Sequence, residues 1–212
     1  MYVQELWRYP VKSLRGEPIE AALVLPDGIA GDRQVLVIDA AEGRVITSRT
    51  NPALLGLAGS LSDAGEALID GRPWDDPVSI AAVRAASHPS AVLMEHRGAE
   101  RFDVLPLSIA TDGAVRALGV DRRRLRPNIV VGGVEGLAER DWPGRRLRVG
   151  DVLIDVERLR PRCVMTTYDP DTQEQDHGVL RRIVRTFGGS MALDCAVRVG
   201  GVVSVGDTVE LE

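Results

Sequence analysis

The 212-residue sequence predicts a mainly β protein of barrel type, with an N-terminal β segment and a few short packed helices. Three observations lead there. Short runs of β-branched and aliphatic residues recur along the chain, Gly, Pro or Asp punctuates the gaps between them, and a helical period is convincing in only two places.

Taken in order, MYVQELWRYPV reads as the first strand, and ALVLPDG, RQVLVIDAAEG, RVITSR and ALIDGRPW as short strands between turn signals. Across residues 75–102 the chain becomes Ala- and Ser-rich, carries Pro77 and Pro89, and loses its alternation, so it reads as a connecting stretch. A boundary near residue 88 then divides the chain into an N-terminal segment, 1–88, and a second domain, 89–212. The first helix is expected from Asp112 to Leu118, with Thr111 as its N-cap and Gly119 just past its end. RPNIVVGG and DVLIDVERL follow as strands. A second helix over residues 178–187 places Val179, Leu180, Ile183, Val184 and Phe187 on one apolar stripe that stops at Gly188. MALDCAVRVGG and VVSVGDTVEL close the chain as strands, and no internal repeat or low-complexity tract interrupts the pattern.

With a formal net charge of -5 and a pI near 5.3, the surface as a whole repels polyanions. Nucleic acid is therefore not an expected partner, and any anion site must come from a local cluster of cations. No apolar run approaches the roughly 20 residues a membrane span requires. The chain opens into a strand rather than a signal peptide, so no membrane partner and a cytoplasmic location are expected. In that compartment Cys163 and Cys195 are expected to be free thiols. Of the 26 Lys plus Arg residues, only Lys12 is a lysine. A compact, rotatable ammonium fits a tight site that a planar guanidinium cannot, although chance retention explains a single lysine too.

Alternation in MALDCAVRV puts Met191, Leu193, Cys195, Val197 and Val199 on one strand face, which makes Cys195 a core residue. Cys163 has another setting. It follows Arg158, Arg160 and Arg162 and leads into VMTTYDPDT, so a reactive or metal-binding thiolate is expected there, with a half-buried loop cysteine as the plainer alternative. One cysteine makes a poor zinc site, and the sequence contains no CxxC or HExxH. His88, His96 and His177 lie in polar or Pro-flanked contexts and read as solvated. A lone reactive cysteine then needs a catalytic histidine close in space, or a metal that brings most of its own ligands. Molybdopterin is such a case, supplying two sulfurs and a phosphate that demands cations. GxGxxG, GxxxxGK[ST] and GxSxG are all missing, and Schiff-base chemistry at Lys12 lacks a recognisable phosphate cup.

WRYPVKSLRGE, GIAGDRQVLVID, LRPNIVV and RCVMTTYDPDT, in this order, resemble the motifs of the MOSC proteins, named for the C-terminal domain of molybdenum cofactor sulfurase. The similarity is to the amidoxime-reducing branch and covers nearly the whole chain. It implies a β-barrel-type MOSC domain behind a MOSC-type N-terminal β-barrel segment. By the same resemblance Cys163 ligates molybdenum, Lys12, Ser13 and Arg33 grip the anionic part of a molybdenum–molybdopterin cofactor (Moco), and Arg126 and Asn128 line its pocket. Arg162 would add charge at the metal, Thr111, at the start of the first helix, a hydroxyl and backbone N–H groups for phosphate, and Asp169 an orienting or proton-relay carboxylate, with a turn cap before Pro170 as its plainer reading. The activity implied is an oxidoreductase acting on N-hydroxylated or N-oxygenated small molecules with electrons from a separate donor protein. A sulfur or cofactor carrier, with persulfide on Cys163 or Moco bound without turnover, is the alternative. Three departures from the pattern stand out: a short crossing from Trp74 to Thr111, which leaves the cleft mouth less covered; Gln173 where the pattern has glycine; and Ser190 where it has an aromatic residue.

Overall fold

The structure, a computed structural model, describes residues 1–96, 98 and 101–212. It is mostly β. Eight strands form one sheet in the order Val209–Leu211, Arg146–Val149, Val152–Pro161, Ser190–Val199, Leu107–Thr111, Ile129–Gly132, Tyr2–Arg8 and Glu17–Ile19. Every neighbouring pair is antiparallel except Leu107–Thr111 with Ile129–Gly132. Parallel strands need a crossover, and a helix, Asp112–Leu118 (α2), lies on this one. The sheet curls until Tyr2 bridges Thr208 and the Val3 N–H donates to the Asp207 carbonyl at 2.8 Å, which brings its ends together without a closed ladder.

Alternating side chains of these strands, including Ile109, Ile129, Ile154, Leu193 and Cys195, fill the main core. Val3, Leu6, Ala22, Val24 and Ile29 belong to that same core. The strand Gly201–Ser204 pairs with Ala21–Leu25, so Tyr2–Arg8 and Ala21–Leu25 both join the barrel-like body. A second, smaller core gathers Val11, Leu14, Val35, Val37, Leu54, Ile69 and Val83.

The stretch 75–96 is not a connector. Pro77–Ala86 is a helix (α1), with Pro77 opening it and Asp76 accepting the Val78 N–H at 2.7 Å. It buries only Ser79 and Val83, with Ile80, Ala82 and Ala86 half-buried, too little apolar area to leave a visible stripe in the sequence. Ala91–Glu95 then pairs along its whole length with Val35–Asp39, so the strand just beyond the expected boundary at residue 88 belongs to the sheet of the smaller core. That core spans the proposed cut.

The other helices stand where periodicity places them. α2 is capped by Thr111 and ends at Gly119; His177–Phe187 (α3) is capped by Asp176 and ends at Gly188, whose φ of 64° is the left-handed value glycine adopts without strain. Both pack with Ala110, Met191 and Ala192 on the outer side of the sheet. Met191 is there because Ala192 takes a φ of 63° and breaks the alternation that continues through Leu193, Cys195 and Val197.

Candidate functional site

A cleft of about 170 Å³ draws its walls from six stretches of chain: Lys12 and Ser13, Arg33, residues 47–49, residues 102–108, residues 125–128 and residues 160–165. Seven of the residues expected from sequence meet here: Lys12, Ser13, Arg33, Arg126, Asn128, Arg162 and Cys163. Six non-glycine residues have positive φ among the described ones, and three line this cleft: Ser13 at 76°, Arg33 at 52° and Arg126 at 50°. Left-handed backbone costs an L-residue about 1 kcal/mol or more, so its concentration at one site marks a place where side-chain direction is enforced.

Asp32 is the hub that enforces it. Its fully buried carboxylate accepts the Tyr9 N–H at 2.7 Å and the Asn128 side-chain N–H at 3.1 Å, and pairs with Arg33. Arg33 also lies over the rings of Tyr9 and Phe102, at 5.0 and 5.7 Å from their centroids. Arg126 stacks on Tyr9 at 4.3 Å and donates to the Leu14 carbonyl at 2.8 Å. Gly16 makes this stack possible, since a Cβ there would overlap the Tyr9 ring and the Arg8 carbonyl. Burial pushes the Tyr9 phenol up to about 12. It lowers the Arg126 guanidinium to about 10, with the charge of Arg33 adding to the effect.

Cys163 ends the run after the long strand Val152–Pro161 and enters a single 3₁₀ turn, Val164–Thr167. Its carbonyl accepts the Thr166 N–H and hydroxyl, which fixes the loop and leaves a half-buried free thiol on the cleft. Beside it, Arg162 donates through Nη2 to the Leu125 carbonyl at 2.8 Å. Its Nε and Nη1 are shielded from solvent and have no hydrogen-bond partner among the described residues. Burial, then the neighbouring charge of Arg160, lowers this guanidinium to about 10. A buried cation with two idle donors is destabilised until an anion reaches it. Cys195, as expected, lies in the core, where burial drives its thiol well up.

Lys12 is buried and its Nζ sits 2.9 Å from Asp103, which also takes Arg49 at 3.2 Å. Arg160 reaches the fully buried Asp194 at 2.6 Å. Sequence reasoning missed Arg49, Asp103 and Ser108 as cleft residues, and named Arg160 only as part of the cationic run before Cys163. The polar triplet Thr47, Ser48 and Arg49 after a strand was a usable signal for the first; Asp103 lies just past the stretch taken for a connector and carried none.

Two expected site residues are elsewhere. Thr111 is fully buried on the helix side, where its hydroxyl donates to Glu139 at 2.7 Å and accepts the Ala114 N–H as a cap. Asp169 caps its own turn through the Asp171 and Thr172 N–H groups, both at 3.0 Å, and pairs with Arg124. Neither lines the cleft. Asn128 does, but both donors of its amide are spent on Asp32 and the Trp7 carbonyl. It braces the wall instead of presenting donors to a ligand. His88, His96 and His177 also lie off the cleft.

The donor set matches a metal that arrives with its own ligands. No group of three or more His, Cys, Asp or Glu side chains suited to holding a metal ion occurs among the described residues, whereas one accessible thiol faces a wall of cations. The shielded, idle nitrogens of Arg162 fit an anionic group at that wall.

Comparison with known proteins gives the family. Family models match for the MOSC domain over residues 96–210 and for the MOSC N-terminal beta barrel domain over residues 1–103. Mitochondrial amidoxime-reducing component 1 of Homo sapiens is 27% identical over 230 residues, covering 80% of this chain and 67% of that protein. Mitochondrial amidoxime reducing component 2 of Macaca fascicularis is 26% identical over the same length and coverage. Among solved structures, the YUAD protein from Bacillus subtilis superposes with a TM-score of 0.53 at 16% identity, covering 99% of this chain and 94% of that one, a likeness of fold.

Proposed function

Because the chain belongs to the MOSC family, we propose that its cleft holds a molybdenum–pterin cofactor and that the protein reduces N-hydroxylated or N-oxygenated small molecules. The observation that carries this reading is the juxtaposition of one accessible thiol, Cys163, with the shielded and unpartnered nitrogens of Arg162. When bound, the cofactor supplies two-electron redox chemistry at the metal, with electrons delivered by a separate donor protein.

The chain's own residues bind and orient. Cys163 offers one thiolate to the metal from a loop pinned by Thr166. Arg162 and Arg160 supply positive charge beside it, while Lys12, Ser13, Arg33 and Arg126 line the wall that takes the anionic end. Asp32, braced by Asn128, holds Arg33 in place. The Ser48 hydroxyl donates to the Met165 sulfur at 3.4 Å, tying the smaller core to the Cys163 loop. No helix among the described residues is long and apolar enough to cross a membrane.

The test is metal content and turnover in protein made by a host that produces the cofactor. Wild type should carry molybdenum and reduce an amidoxime with an artificial donor; Cys163→Ala should lose both. Turnover that persists in Cys163→Ala excludes the assignment. A gain of one sulfur atom in the mass of Cys163 after exposure to a cysteine desulfurase, with no turnover in wild type, points to the carrier role instead.

A further inference from the structure

Resting on that reading, we propose that Ser108 is a further cofactor-contacting residue, donating its hydroxyl to an anionic oxygen of the bound group at the floor of the cleft. Ser108 stands in Leu107–Thr111, a strand buried at every position. Its neighbours Leu107 and Ile109 point into the main core, so alternation turns Ser108 to the opposite face, where it lines the cleft. The residue is only 3% exposed, and its Oγ has no hydrogen-bond partner among the described residues.

An idle buried hydroxyl is a cost to the cofactor-free protein, and buried polar groups of this kind are rare enough to need a reason. Internal acceptors do not supply one. Asp194 faces Ser108 across the ladder, but its carboxylate pairs with Arg158 at 3.2 Å and Arg160 at 2.6 Å and makes no hydrogen bond with the Ser108 hydroxyl. Asn128 grips Ser108 only by its backbone: the Ser108 N–H donates to Asn128 Oδ1 at 3.2 Å, and the Asn128 N–H donates to the Ser108 carbonyl at 2.7 Å. This clamp fixes the strand and leaves the side chain free. The same cleft holds the idle Nε and Nη1 of Arg162. Unpartnered donors from a strand, Ser108, and from the loop residue just past another strand, Arg162, on one concavity, with Arg160 beside them, select an oxyanion. The hydroxyl that recognises it is therefore Ser108, while Asn128, the neighbour expected to touch the ligand, does the bracing.

The test compares wild type and Ser108→Ala, made with and without cofactor. As cofactor-free proteins the two should unfold at the same temperature, or the variant slightly higher, because an unpaired polar group has been removed. Loaded, the variant should release molybdenum on the order of tenfold faster during dilution and gel filtration, the effect of losing one hydrogen bond to a charged group. Equal retention in the two proteins overturns the Ser108 assignment and leaves the cofactor reading standing. Destabilised cofactor-free variant also overturns it, since the hydroxyl would then be bonded within the protein. Wild type that takes up no molybdenum sinks the parent reading instead.

Discussion

Lys12 shows how a single residue combines charge and constraint. Its ammonium is buried against Asp103, a carboxylate that also takes Arg49 and so neutralises part of the cationic wall. Burial raises the Asp103 carboxyl, but the Lys12 hydrogen bond and charge, with Arg49 and Arg160, outweigh it and hold the group below its ordinary value. The stabilisation from this pair is therefore fully present above the unfolded carboxylate value of 3.8 and is lost as pH falls through the lower folded value. Denaturant unfolding of wild type and Asp103→Asn should differ by a constant amount from neutral pH to about pH 5 and converge below about pH 4. At neutral pH the variant should bind inorganic phosphate several-fold more tightly, because the competing internal anion is gone; unchanged affinity would show that Asp103 does not compete for Lys12. Gln173, placed where the family pattern has glycine, carries a φ of 59°, so the departure puts a side chain into backbone that glycine adopts freely.

At the scale of elements, α3 supports the Cys163 loop. The Asp176 N–H that precedes the helix donates to the Thr167 carbonyl at 2.8 Å, and just past the helix the Gly189 carbonyl accepts the Arg162 N–H at 2.9 Å. Val179, Ile183 and Phe187 bury its inner face. Truncating Phe187 to Ala should cost about 3–5 kcal/mol, read as a lower denaturant midpoint at unchanged slope. Periodicity announced this helix because its apolar stripe is made of large side chains, whereas α1 stayed hidden because it buries only Ser79 and Val83. Thr111 was placed rightly as a cap, but its hydroxyl serves Glu139 and α2, not the cleft. A cap motif says where a helix starts and nothing about which side of the sheet it starts on.

For the whole molecule, the two cores are interleaved in sequence. Residues near the N-terminus finish the main core, and Tyr2–Arg8 pairs with Ile129–Gly132. A fragment of residues 89–212 should therefore lack a cooperative unfolding transition, and adding residues 1–88 in trans should restore one if the interleaving is as described; a fragment that folds cooperatively alone would contradict it. Strand content, two of the three α-helices among the described residues, the core position of Cys195 and most of the cleft's cations were determined by the sequence itself, because period, caps and short motifs are local properties of the chain. Which of those polar residues share a cavity was decided only by tertiary structure. Asp103 and Ser108 enter the cleft, and Thr111 and Asp169 leave it, through strand pairing and the side of the sheet each residue faces, and those depend on partners tens of residues away.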